Sequence, residues 1–127
     1  MAKAQIATFL GPQPGISITG DHAYGYSGVI TYDTTTPTTF LKFKTGKYYL
    51  VGNVAFYSSE GGNSDIFVEL KLNGTIIMKA RYAQQQYSTN DQPAPIVIPP
   101  MTEFEGLMGT DISQDLTMTI TGRVYDA

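Results

Sequence analysis

Two glutamates in the stretch "MTEFEGLMG" have a spacing that acid catalysis can use. Glu103 and Glu105 are two residues apart, so a strand through them places both carboxylates on one face. Paired carboxylates in a cleft can hydrolyse glycosidic bonds. The same spacing is typical of a solvated strand face, or of charges that protect a sheet edge, and we favour that interpretation over a small glycan hydrolase.

The one histidine, His22, stands beside Asp21 in "TGDHAYGYSG". A Ser-His-Asp set could draw on Ser27 and on Asp21 or Asp33. However, "GYSG" (Gly25 to Gly28) lacks the spacing of a nucleophile elbow, and no helix follows it. We therefore interpret His22 as a loop histidine, predict no catalytic residues, and expect that the protein is not an enzyme.

Oxygen-bearing side chains alternate in "DISQD", where Asp111, Ser113 and Asp115 follow the beginning of a calcium-loop pattern. The glycine and the distal glutamate of such a loop are missing. The segment "EGGNSD" (Glu60 to Asp65) is similarly rich in oxygen. The sequence predicts no metal and no cofactor, with Asp111 and Asp115 as calcium candidates should one bind.

Several tyrosines and amides stand in or near turn-rich segments, where they could contact a sugar or a protein. Tyrosine offers contact area and a hydroxyl at small entropic cost. Tyrosines also pack sandwich cores and subunit axes, and both interpretations stay open. The candidates for a ligand-binding loop are Tyr24, Tyr26, Gln86, Tyr87 and Asn90, the last three within the irregular segment "QQQYSTNDQPAP".

Composition limits the classes of function. The 127 residues suffice for one domain. Eight basic side chains are scattered and the net charge is -3, so we expect neither nucleic-acid nor membrane binding. No cysteine is present, and the run "IATFL" is too short for a signal peptide or a membrane span. Only 15% of residues are charged against about a quarter in ordinary domains, which favours surface hidden in an oligomer.

No stretch has helical periodicity free of glycine and proline, so the chain is predicted to be all-β. Short runs rich in Thr, Tyr, Phe, Val and Ile alternate with turn-forming clusters, as in a sandwich or barrel. We predict ten strands: Ala4 to Leu10, Ile16 to Thr19, Gly28 to Tyr32, Thr38 to Lys44, Lys47 to Ser58, Asp65 to Leu72, Thr75 to Ala83, Ala94 to Ile98, Thr102 to Met108 and Asp115 to Tyr125.

The hairpin "VELKLNGTIIMKA" raises a question of register. A two-residue Asn-Gly loop would place charged residues beside the apolar row of Val68 and Leu70. We therefore predict a three-residue loop ending at Gly74, which pairs Leu70 with Ile76 and Val68 with Met78. Its other face would carry Phe67 and Ile77 among charges. The strand from Lys47 to Ser58 is also apolar on both sides, so we predict that such faces meet neighbouring subunits.

The stretch "FKTGKYYLVGNVAFYSSEGGNSDIFVELKLNGTIIM" resembles the middle of the tumour necrosis factor and complement globular-head superfamily, and "LTMTITGRVY" resembles its last strand. Together with "IVIPPMTEFEG", the pattern is similar to small jelly-roll proteins of viruses, notably tailed phages. The resemblance implies a jelly-roll sandwich of about ten strands that forms a homotrimer, with aromatic residues near the threefold axis.

We expect residues 1–14 to form an N-terminal arm or edge strand and residues 15–127 to form the jelly roll. The expected role is a virion structural protein, such as a capsid decoration, spike, tail or fibre head, in contact with other virion proteins. Binding to a host glycan or receptor, and assembly into an extracellular filament, are the alternatives. The candidates for the trimer interface are Tyr49, Val51, Tyr57, Phe67, Ile77 and Tyr125.

Overall fold

The computed structural model describes residues 11–13, 15–60, 65–82 and 93–126 of the chain. Within those ranges the backbone forms eleven strands and no helix. The strands are β1 (Gly11–Gln13), β2 (Ile16–Thr19), β3 (His22–Tyr26), β4 (Ile30–Tyr32), β5 (Thr38–Lys44), β6 (Tyr48–Ser58), β7 (Ile66–Leu72), β8 (Thr75–Tyr82), β9 (Ala94–Ile98), β10 (Glu103–Thr110) and β11 (Gln114–Asp126).

The strands form two antiparallel sheets, and every pairing is antiparallel. Sheet A has the order β1-β2-β3-β11-β6-β9, with β4 beside β11, and sheet B has the order β5-β10-β7-β8. From β5 onward, each connection except the β7–β8 hairpin leads from one sheet to the other. This arrangement is a jelly-roll sandwich, as the sequence predicts.

The core lies between the two sheets because alternate side chains of each strand point inward. In β6 and β11 these are Leu50, Val54, Phe56, Leu116, Met118, Ile120 and Val124, all fully buried. Sheet B contributes Phe43 and Phe104, whose ring centroids are 5.1 Å apart, together with the apolar side chains of β7. Burial of these two rows is the main term that holds the sheets together.

Nine of the ten predicted strands coincide with observed ones within two residues at each end. The remaining one, Ala4 to Leu10, lies outside the described residues. The prediction missed β3, whose inward residues are Ala23 and Gly25 and so carry little apolar signal. It also missed β1, which lies between the predicted strands Ala4 to Leu10 and Ile16 to Thr19.

The predicted register of the β7–β8 hairpin is wrong. The loop is the two-residue Asn73-Gly74 turn, with φ angles of 51° and 81°, and Leu72 pairs with Thr75. The extra residue is Ile77, which forms a bulge in β8, so that Leu70 pairs with Met78. The bulge brings apolar residues of both strands to the inner face. The sequence pattern attributes this match of apolar rows to a three-residue loop instead.

Strands β6 and β11 approach unusually closely at one point, where Gly52 lies opposite Gly122. A Cβ atom on Gly52 would lie 2.1 Å from the carbonyl oxygen of Thr121, and one on Gly122 would lie 2.3 Å from that of Val51. Backbone atoms cannot yield as a flexible side chain can. The two glycines therefore allow the longest strand pair of sheet A to keep its register through this point.

Replacing Gly122 with alanine is expected to destabilise the fold by about 1–3 kcal/mol, because the new methyl group must push the two strands apart. The free energy of unfolding in urea measures the loss. Gly46→Ala is the matched control, since its added Cβ meets nothing closer than 3.4 Å and no positive φ is involved. Equal stability of the two variants would contradict the close approach.

Two inward tyrosines give the fold a dependence on alkaline pH. Burial raises the pKa of Tyr48 and of Tyr82 above the ordinary value of 10.0, and a hydrogen bond with the Gly46 backbone partly offsets the rise at Tyr48. A folded-state pKa above the unfolded one means that stability is complete below pH 10 and falls as the pH rises further.

We expect the free energy of unfolding to decline above about pH 10, and to decline less in the Tyr48→Phe/Tyr82→Phe variant, which cannot ionise at these positions. Urea titrations at a series of alkaline pH values measure this slope. A double variant with the parent's slope would refute the assignment.

Candidate functional site

The two glutamates considered for catalysis lie on the outer face of sheet B rather than in a cleft. Glu103 lies 4.0 Å from the Nζ atom of Lys42, and Glu105 accepts a hydrogen bond from the Thr39 hydroxyl. The structure thus places both carboxylates on one face, as the spacing predicts. Their partners are an ammonium and a hydroxyl of the neighbouring strand, which is the arrangement of a strand face held by ion pairs.

The residues considered for a catalytic triad are not brought together. His22 Nε2 lies 3.5 Å from Asp21 Oδ1, and Asp21 Oδ2 lies 3.2 Å from Arg123 Nη1. Ser27 follows the opposite end of β3, where its hydroxyl donates to the Gly28 carbonyl and accepts from the Met118 amide. His22 belongs to β3, so its interpretation as a loop residue is wrong.

The two calcium candidates have separate partners. Asp111 accepts a hydrogen bond from the Asp65 amide, whereas Asp115 accepts one from the Thr31 hydroxyl. Among the described residues, no group of three or more acidic, histidine or cysteine side chains could hold a metal ion. Asp111 and Asp115 thus serve backbone and side-chain hydrogen bonds at the end of the sandwich where β10 turns into β11.

Of the ligand-loop candidates, Tyr24 and Tyr26 lie in β3 and not in a loop. Both point outward, and about half of each side chain is exposed. Gln86, Tyr87 and Asn90 lie outside the described residues. The loop interpretation is therefore wrong for the two tyrosines, which belong to a sheet surface.

That surface, here called the sheet A face, consists of outward side chains of β3, β6, β9 and β11. Cross-strand pairing brings Tyr49 next to Tyr125, and Val51 next to Arg123 and Val97. Its members are His22, Tyr24, Tyr26, Tyr49, Val51, Asn53, Ala55, Tyr57, Pro95, Val97, Asp115, Thr117, Thr119, Thr121, Arg123 and Tyr125. Its charged side chains are Arg123, which pairs with Asp21, and Asp115, which accepts a hydrogen bond from the Thr31 hydroxyl.

The outer face of sheet B, here called the sheet B face, has the opposite character. It is crossed by ion pairs, with Lys79 3.9 Å from Glu69 and Arg81 bound to Asp65. Its charged members are Lys42, Lys44, Asp65, Glu69, Lys71, Lys79, Arg81, Glu103 and Glu105. Ion pairs of this kind keep a sheet surface soluble and contribute little net stability.

The six candidates for a trimer interface fall on both faces. Tyr49, Val51, Tyr57 and Tyr125 belong to the sheet A face, while Phe67 and Ile77 lie in the hairpin of sheet B. Phe67 is partly covered, because the Arg81 guanidinium lies 5.4 Å from its ring centroid. Sequence reasoning missed Val97 and the three outward threonines of β11, although the alternation in "LTMTIT" predicts their side of that strand.

No family model and no curated protein matches the chain. Among solved structures, the chain is similar to a structure of the Gx strain of infectious bursal disease virus. The two share 12% identity with a TM-score of 0.43, and the match covers 95% of this chain and 41% of the viral chain. The VP2 subviral particle of the same virus gives 12% identity and a TM-score of 0.41, covering 97% of this chain and 42% of that chain.

A third similar structure is xylanase 10C of Cellvibrio japonicus in complex with xylopentaose, with 11% identity and a TM-score of 0.29 over 100% of this chain and 28% of that one. The chain thus spans about two fifths of the viral chains it matches. At these identities and TM-scores the likenesses carry no argument about function. In the part of the chain that is described, no helix is long and apolar enough to cross a membrane.

The exposed contacts of Glu103 with Lys42 and of Glu105 with Thr39 predict that both glutamates can lose their charge with little effect on stability. Glu103→Gln/Glu105→Gln should change the free energy of unfolding by at most about 1 kcal/mol, because exposed ion pairs contribute little. Thr45→Val is the contrasting variant. Its buried hydroxyl donates to the Pro99 carbonyl and accepts from the Thr102 amide, so about 1–3 kcal/mol should be lost. A larger loss in the glutamate variant than in Thr45→Val would contradict this account.

Proposed function

We propose that this chain is a non-enzymatic structural subunit of a virus particle and assembles as a homotrimer through the sheet A face. The observation that carries the assembly is the composition of that face. Four tyrosines and two valines on it are each at least 39% exposed, although they are large apolar or aromatic side chains. Contiguous exposed surface of this kind marks an interaction site.

A second copy of the chain is the partner that this surface fits. Its two charged side chains have opposite signs and partners within the chain, so the face has no strong electrostatic preference for a charged partner. In a threefold ring it contacts a different patch of the next subunit, because only a twofold contact joins a face to itself. Tyrosine is enriched at interface cores, where its ring is buried and its hydroxyl keeps a polar partner. The threonine rows of β11 add methyl groups and hydroxyls that can pack in the same way.

The size of the face is also sufficient. The four strands contain 5 (β3), 11 (β6), 5 (β9) and 13 (β11) residues, and at about 3.4 Å per residue and 4.8 Å between strands they cover roughly 550 Å². A standard interface buries about 800 Å² per partner, so the face supplies most of one subunit's share of an interface. The charged sheet B face would remain in solvent, which excludes Phe67 and Ile77 from the proposed interface.

The threefold symmetry and the tumour necrosis factor-like arrangement follow from the resemblance in sequence. The segment "GKYYLVG", which carries part of that resemblance, leads into β6, and the segment "LTMTITGRVY" lies in β11. These two strands are neighbours in the middle of sheet A. The implied aromatic residues near the axis correspond to Tyr49 and Tyr125, which pair directly across these strands.

The virion role rests on the similarity of the sequence to small jelly-roll proteins of phages. A decorating subunit, spike, tail or fibre head needs a stable, self-associating domain, and no chemistry is required of it. Its partners would be its own copies and other virion proteins. Mass spectrometry of purified virus particles tests this role: peptides of this chain at a copy number divisible by three support it, and their absence from particles opposes it.

Assembly is tested by light scattering coupled to size-exclusion chromatography. At micromolar concentration we expect a particle of about 41 kDa, three times the chain mass of 13.8 kDa. A mass equal to one chain would overturn the trimer, and a mass of two chains would overturn its symmetry.

Tyr57→Glu should convert the trimer to monomers, because each interface would bury a carboxylate whose cross-strand neighbour is Thr117. Ile77→Glu is the matched control. Its side chain is 48% exposed against 44% for Tyr57, and it lies on the hairpin of the other sheet, so the trimer should persist. Dissociation by Ile77→Glu but not by Tyr57→Glu would place the interface on sheet B.

A further inference from the structure

A groove of about 550 Å³ crosses the sheet B face, away from the proposed trimer interface. One wall is the loop of residues 33–37, and the opposite side and floor come from β7 and β8. The side chains that matter for the argument are Thr35, Pro37, Phe67, Glu69, Lys79 and Arg81. A volume of this size is within the range of small-molecule sites.

The wall of the groove is fixed in place by contacts with the sheet. The Thr110 amide donates to the Thr34 carbonyl at 2.7 Å, and the Tyr32 hydroxyl donates to the Thr36 carbonyl at 2.7 Å. The loop can lie this close because Gly109 has no side chain, and a Cβ there would lie 2.7 Å from the Thr35 carbonyl oxygen. The groove is therefore formed before any ligand arrives.

The charges of the groove are layered. The carboxylates of Asp65 and Glu69 are only 13% and 15% exposed, whereas the cationic side chains of Arg81 and Lys79 are 65% and 71% exposed. An approaching ligand thus meets two cations while their acidic partners lie below. Arg81 is held in position twice, by its Nε hydrogen bond to Asp65 at 2.9 Å and by its stacking on Phe67.

We propose that this groove binds an acidic saccharide, a sugar ring that carries a carboxylate. Lys79 and Arg81 are two residues apart on one strand, with Cα atoms about 7 Å apart, a span that a single carboxylate between their side chains can bridge. Phe67 and Pro37 offer apolar surface to the less polar side of a sugar ring, and Thr35 brings a hydroxyl. In the proposed trimer the groove faces away from the contact between subunits.

The test uses the full chain, uniformly labelled with ¹⁵N, and 3′-sialyllactose as the probe. We expect amide shifts that saturate at millimolar concentration and cluster at residues 35–36, 67–69 and 79–81. The binding should weaken as sodium chloride is added, because it depends on exposed charges. Lactose, the same sugar without the carboxylate, should produce no such cluster.

Arg81→Gln and Lys79→Gln should each weaken binding about tenfold, the equivalent of one charge-assisted hydrogen bond. Lys44→Gln removes the same charge from the sheet B face outside the groove and should leave binding unchanged. Lys79 is largely exposed, so its variant remains informative if Arg81→Gln disturbs the fold.

Three results would overturn the proposal. Equal shifts with lactose would remove the role of the carboxylate, and equal shifts with sodium acetate would remove the role of the sugar ring. Unaltered affinity in both Lys79→Gln and Arg81→Gln would place the ligand elsewhere. None of these results bears on the trimer, which the mass measurement tests separately.

Discussion

The pairing of β6 with β11 is the constraint on which the rest of this protein depends. It runs without a register shift from Leu116 opposite Ser58 to Asp126 opposite Tyr48. Inward residues of the pair fill the centre of the core, and outward residues form the middle of the sheet A face. One strand pair therefore sets both the stability of the domain and the surface that it offers to a neighbour. The opposed glycines at 52 and 122 are needed because neither purpose tolerates a break in this ladder.

Much of the fold could be predicted because most strands alternate strongly. The strand "LTMTIT" separates an apolar from a polar face at every step, and its bounds were found within one residue. Strand β3 was missed for a physical reason. Its inward positions are Ala23 and Gly25, and a Cβ on Gly25 would already lie 2.9 Å from the Ile120 side chain. Close packing there requires the small residues that erase the pattern.

The hairpin shows what a pattern can and cannot decide. Matching apolar rows correctly required a shift of one position from the regular pairing of Leu70 with Ile77, because such a shift reverses the faces of a strand. The pattern did not give the direction of the shift: the predicted loop pairs Leu70 with Ile76, whereas the bulge pairs it with Met78. The backbone preference of Asn-Gly for two positive φ angles kept the turn short, so Ile77 became the bulge. The same limit applies to the candidate interface. A strand that is apolar on both sides does not reveal on which side the neighbouring strands continue the apolar surface.

The position of β11 also has a consequence for how this chain is made. Sheet A contains β11 between β3 and β6, so the described strands of its two halves, β1 to β3 and β6 with β9, pair with β11 or within their own half and not with each other. A ribosome must therefore synthesise the chain beyond residue 114 before these halves can join. Until then β6 carries two apolar sides without a partner on one of its edges. Long-range strand pairing of this kind is slow, and until it is complete it leaves apolar surface and unpaired strand edges exposed. The nascent chain consequently passes through its most aggregation-prone stage just before synthesis of its central strand.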